Sequence, residues 1–156
     1  MRRTLLHPFT FRRARRDSRE TAGHTIVFYD GTCGLCHRWV RFILRQDPQG
    51  KRFKLSPLQG SYIKQRIPDE QRQNLPDSIV VIDPAGSVLT RSAAVLHILS
   101  RLGRPWRILS HIAAALPRPL RDALYDAVAA IRYKLFPRQT DMCPTIPDHL
   151  RDRFQW

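Results

Sequence analysis

IVFYDGTCGLCH, residues 26–37, joins a β-rich apolar run, Ile26-Val27-Phe28-Tyr29, to a helical pattern that starts near Gly34. The run is short, apolar throughout and bounded by Asp30-Gly31, so it reads as a buried central strand. Immediately afterwards Leu35, Trp39, Phe42 and Ile43 recur at i, i+4, i+7 and i+8, with Arg38, Arg41 and Arg45 on the opposite side. That spacing is an amphipathic helix, ended by Asp47-Pro48-Gln49-Gly50. Cys33 and Cys36 therefore stand where a strand passes directly into a helix.

Working outward, residues 51–56 alternate polar side chains with Phe53 and Leu55, giving a second strand after a right-handed crossover. A short helix is expected over residues 58–67. Residues 78–82 form a third apolar run, and Asp83-Pro84-Ala85-Gly86 fits a type I turn that returns Val88-Leu89 antiparallel, making a hairpin. Ser92 is the expected cap of a helix over residues 93–102 that Gly103 stops. Its apolar side, with Val95, Leu96, Ile98 and Leu99, leaves His97 facing solvent. Pro105 opens a helix running to Leu116. Leu120, Leu124, Val128, Ile131 and Leu135 make an apolar stripe that predicts another helix over residues 119–136. The tail is Pro-rich and irregular until a last turn over residues 149–154. The order βαβα, then ββα, then two added helices is the connectivity of a thioredoxin-like α/β fold. In that fold a reactive CxxC follows the first central strand. Trp39, Trp106 and Tyr133 read as core or interface aromatics.

The chain has 156 residues, 42% of them hydrophobic, which suits one core-forming domain over residues 24–156. It has no apolar run of the roughly 18 residues that a membrane span requires. No apolar signal segment follows its N-terminal arginines, so the expected compartment is cytoplasmic. The net charge is +14, and Arg2, Arg3, Arg12, Arg13, Arg15, Arg16 and Arg19 face only Asp17 and Glu20 in the first 24 residues. Residues 1–23 thus read as a disordered basic arm. Arginine outnumbers lysine 23 to 4, a bias with a coding explanation, so the arm is read as solvated rather than as a grip on nucleic acid or acidic lipid.

A helix N-terminus presents unpaired N–H groups and the positive end of the peptide dipole, and a thiolate is an anion suited to that place. Cys33, at or just before the first turn, is the expected attacking thiolate; Cys36, one turn in and expected to be the more shielded, is the resolving thiol. Gly34 leaves room for an incoming sulfur. His37 lies four residues after Cys33, where a protonated imidazole would stabilise the thiolate, or else it is an ordinary partly exposed helix histidine. Asp30 is either the proton acceptor of Cys36 during resolution or a turn residue at the strand end. Arg38 and Arg41 read as solvated, and Cys143 as a packed small residue or an extra redox partner.

Three rival readings of the motif stand beside this one. A zinc site would need Cys143 and a distant histidine to complete four ligands. CGLCH matches the CxxCH haem-attachment pattern literally, but haem attachment ordinarily follows export, and a strand before the motif fits poorly. A purely structural CxxC is the third. No cofactor and no metal is expected, and no nucleotide-binding glycine motif is present, so electrons would come from another thiol system. A non-catalytic binding module, held by its arginines to nucleic acid or a membrane surface, is the alternative function, with nucleic acid the less expected partner.

IVFYDGTCGLCHRWVRFILRQD, PDSIVVID, the Ser-Ala-Ala helix start, and LYDAVAAIRYKLF with a downstream Cys-Pro together resemble the DCC family of thiol-disulfide oxidoreductases, over about residues 25–154. The resemblance implies a thioredoxin-like fold, dithiol-disulfide exchange by Cys33 and Cys36, a place for Asp30 in the signature, and a protein or small-molecule disulfide as substrate. One departure from thioredoxins stands out. Those carry a cis-proline just before the third central strand, facing the CxxC; the corresponding position here is Asp77, with Pro76 one residue early. The surface that guides a substrate strand is expected to differ accordingly.

Overall fold

The first strand, β1 (Thr25–Tyr29), is buried at every residue, because both faces of it find apolar cover. The computed structural model describes residues 23–76, 79–136 and 148–155. In it β1 pairs in parallel with β2 (Phe53–Pro57) and antiparallel with β3 (Val80–Ile82), while β3 pairs antiparallel with β4 (Val88–Thr90). The order β2-β1-β3-β4 is that of a thioredoxin-like sheet, with helix α1 (Gly34–Gln46) as the β1–β2 crossover. Val27 and Tyr29 face Val40 and Ile43 of α1 and Ile98 and Leu99 of α4 (Arg91–Arg101). Ile26 and Phe28 face the other way, onto Tyr62 and Ile63 of α2 (Tyr62–Arg66) and onto Ile67. A strand covered on both sides has no use for polar alternation, which is why the run is apolar throughout.

Several local expectations need correction. β2 starts at Phe53 rather than residue 51, because the Arg52 and Phe53 amides donate to Asp47 Oδ2 at 3.1 and 3.2 Å. The helix expected over 58–67 is only α2, since the chain turns first, with Gly60 N–H bonded to Pro57 O at 3.0 Å. A further short helix, α3 (Asp69–Gln73), was not anticipated. The Asp83–Gly86 turn forms as expected, with Gly86 N–H on Asp83 O at 2.9 Å and Gly86 at a φ of 86°. Ser92 is not a cap: Thr90 holds that position, Arg91 makes the sharp strand-to-helix turn at a φ of 52°, and Ser92 Oγ donates to Asp122. His97 does not face solvent. It is half-buried, shares a 3.0 Å hydrogen bond with Thr25 Oγ1, and burial pushes its pKa below the usual histidine value.

Two helices follow: α5 (Arg104–Ala114), two residues shorter than expected at its end, and α6 (Arg118–Leu135). Both pack on α4. Trp39 stacks on Phe42, which forms a T-shaped pair with Trp106 at a ring-centre separation of 4.8 Å, so these aromatics join α1 to α5. The α6 stripe exists, but it is not core: Leu120, Leu124, Val128, Ile131 and Leu135 are between 46% and 63% exposed. After the undescribed residues the chain re-enters as a 3₁₀ helix (Asp148–Arg153) beside the free edge of β2, where Gln155 N–H donates to Leu55 O at 2.8 Å. Arg153 anchors it by donating to Asp47 O at 2.8 Å and Oδ2 at 3.2 Å. Residues 1–22 of the basic arm, Asp77, Cys143 and the Tyr133 side chain lie outside the described residues. Among the described residues no helix is long and apolar enough to cross a membrane.

Candidate functional site

The turn between β1 and α1 is held by side chains from three directions. Asp30 Oδ1 accepts hydrogen bonds from Thr32 N–H at 2.9 Å, Thr32 Oγ1–H at 2.8 Å and Gln59 Nε2–H at 2.9 Å. The other end of the Gln59 amide accepts from Gly31 N–H at 3.1 Å. From below, His37 Nε2 lies 2.8 Å from Gly31 O; a carbonyl can only accept, so Nε2 carries the proton. His37 is 2% exposed and sits edge-on to Tyr29, which overturns its reading as a partly exposed helix histidine. Asp30 acts here as the turn residue, and it also lies close enough to Cys36 for its charge to be felt there. Arg38 and Arg41 are exposed, as expected.

Cys33 closes this turn and caps α1: its sulfur accepts Cys36 N–H at 3.4 Å. No acidic residue occupies the first turn of α1 to offset the positive end of the helix. The expected order of shielding is reversed. Cys33 has 0% exposure, whereas Cys36 is only partly buried. Burial, then a hydrogen bond to Cys33, then the charge of Cys33 push the Cys36 thiol up to about 12; the Asp30 backbone opposes this, and the Asp30 charge adds the smallest upward push. Burial beside Cys33 thus favours the protonated Cys36 thiol.

Cys36 also forms part of the wall of an apolar groove of about 540 Å³, bounded by α1, α4, α5 and α6. Leu35 and Trp39 flank it on α1; Leu109 faces it from α5, Leu116 from the turn that follows, and Leu124 and Val128 from α6. At its floor Tyr125 Oη accepts Ile79 N–H at 3.0 Å, tying α6 to the start of β3. Local reading of the sequence missed Gln59, Thr32 and Tyr125 as parts of the site. Nothing in the β2–α2 turn marks Gln59. Tyr125 stands inside the LYDAVAAIRYKLF phrase, but periodicity makes it just another helix residue. The zinc alternative rests on Cys143, outside the described residues; among those described, no three His, Cys, Asp or Glu side chains gather as a metal site.

A family model described as DCC1-like thiol-disulfide oxidoreductase matches residues 27–138. The uncharacterized protein YuxK of Bacillus subtilis is 31% identical over 139 residues, 86% of this chain and 96% of YuxK. A chloroplastic DCC family protein of Arabidopsis thaliana is 31% identical over 124 residues, 76% of this chain and 67% of that protein. No solved structure matches significantly.

Proposed function

Because the chain belongs to the DCC1-like thiol-disulfide oxidoreductase family, we propose that it exchanges disulfides through Cys33 and Cys36. The Cys33 thiolate attacks one sulfur of a substrate disulfide, forming a mixed disulfide and releasing the first substrate thiolate. Cys36 then loses its proton and attacks the Cys33 sulfur. An internal Cys33–Cys36 disulfide forms, the second substrate thiolate leaves and takes up a proton, and the protein has given up two electrons. A separate thiol system restores the dithiol, and the reverse sequence oxidises a substrate.

The observation that carries this reading is the α1 N-terminus itself: the Cys33 sulfur caps the helix by accepting the backbone N–H of Cys36, and burial beside it pushes the Cys36 thiol up. Asp30 is the acceptor proposed for the Cys36 proton, since its charge already reaches that thiol. His37 is a positioning residue, bonded to Gly31 O and so to the backbone that encloses Cys33. The enzyme is read as one domain over residues 24–156 in the cytoplasm, acting on a protein or small-molecule disulfide.

A second order of attack has one observation in its favour: Cys36, not Cys33, reaches the groove. Trapping with a disulfide substrate separates the two. With Cys33 first, the Cys36→Ser variant accumulates a stable mixed disulfide at Cys33 and Cys33→Ser accumulates none. The opposite pattern assigns attack to Cys36, and trapping by neither variant ends the oxidoreductase reading.

A further inference from the structure

On α5, Ile108, Leu109 and Ile112, with Leu116 just beyond its end, continue the exposure seen on α6; Ile108 and Ile112 are 61% and 63% exposed. Leu109 of α5, Leu116 just after it, and Leu124 and Val128 of α6 line the same groove, so the two apolar stripes border a single opening. Consecutive amphipathic helices that leave their apolar faces to water form the kind of patch a folded protein reserves for a partner.

The charge beside the patch selects the partner. Residues 104–135 carry Arg104, Arg107, Arg118, Arg121, Arg132 and Lys134 against Asp122 and Asp126 alone. Both carboxylates are engaged within the fold, Asp122 by Ser92 and Arg118 and Asp126 by Arg91. Arg104, Arg107, Arg118 and Lys134 are exposed on the same two helices. A second copy of this chain, itself at +14, would set like charge against like. An anionic bilayer offers the opposite sign together with an apolar interior that accepts leucine and isoleucine side chains.

We propose that α5 and α6 form a peripheral docking face for anionic membranes. The apolar stripes sink to the acyl boundary, and the arginines and Lys134 lie among the headgroups. Docked this way, the groove opens toward the bilayer with Cys36 on its wall. The proposal stands without the redox reading, since nothing in it requires either thiol to react.

The test is flotation of the full chain with vesicles of phosphatidylcholine alone and of phosphatidylcholine mixed with phosphatidylglycerol. Binding is expected only to the anionic vesicles and is expected to weaken as salt rises. Ile112→Glu and Leu124→Glu, at positions 63% and 56% exposed, are each expected to lower the bound fraction about tenfold or more with unchanged melting temperature. Absence of flotation overturns the proposal. So does anionic binding that neither substitution weakens, which would place it on the N-terminal arginines. Sedimentation showing a dimer that Ile112→Glu dissolves, without vesicle binding, assigns the face to a second copy instead.

Discussion

Replacing His37 by leucine removes the Nε2–H that meets Gly31 O at 2.8 Å, in a place where the histidine is 2% exposed and no water can substitute. The lost bond is worth about 1–1.5 kcal/mol of turn closure, because a buried acceptor left unmet carries its full desolvation cost. Cys33, with 0% exposure, reacts with reagents only when that turn lifts. A closure weakened by about 1.4 kcal/mol exposes the sulfur about ten times more often. In a Cys36→Ser background, alkylation of Cys33 followed by mass spectrometry, on the alkaline plateau where the rate reports access alone, should run about tenfold faster for His37→Leu. His37→Gln, whose amide nitrogen can reach the place of Nε2, should stay near the parent rate. Equal rates for all three proteins would refute the reasoning, and so would a glutamine variant as fast as the leucine one, since the donor would then not be what holds the turn.

Arg153→Ala leaves Asp47 buried without its ion-pair partner and should cost about 3 kcal/mol in chemical denaturation, softened only by the two amides that still meet Asp47 Oδ2. Gly50→Ala meets two obstacles, a φ of 65° and an Arg153 Cδ that would lie 2.5 Å from the new Cβ. It should cost more than about 1 kcal/mol, and less of that when Arg153 is already alanine; strict additivity in a double-mutant cycle contradicts the contact. Cys36, raised from 9.0 to about 12, contributes stability that is complete below pH 9 and is lost as pH rises toward 12, because the unfolded thiol ionises first. Thermal melts of the reduced protein should therefore fall more steeply above pH 9 than those of Cys36→Ser. For His97 the sign is reversed: its folded pKa lies below 6.5, so its contribution is complete above pH 6.5 and is lost as pH falls below it. His97→Gln should flatten that part of the melting profile.

How far the chain could be read without coordinates differs from element to element. Residues 26–46 were plain, since a strand buried on both faces must be apolar throughout and its helix must repeat near 3.6. Ser92 looked like a cap because a serine before an apolar helix usually is one. Here Arg91 turns the chain a residue earlier and frees that hydroxyl for Asp122, thirty residues on. His97 differs for a similar reason: helical phase shows which side chains lie together, and only the neighbouring strand supplies the Thr25 hydroxyl that draws this ring inward.

Local pattern alone sets the order of elements along the chain, the helix carrying CxxC at its N-terminus, and the chemistry two thiols can perform there. Those follow from local periodicity and backbone polarity, which neighbouring residues set between them. Which cysteine is enclosed depends instead on packing, since Gln59 and His37 converge on one turn from the β2–α2 connection and from α1. Packing also decides what the α6 stripe does. Periodicity requires that such a stripe exist, but its burial or exposure depends on whether another element lies against it, and in this chain the described elements leave it bare.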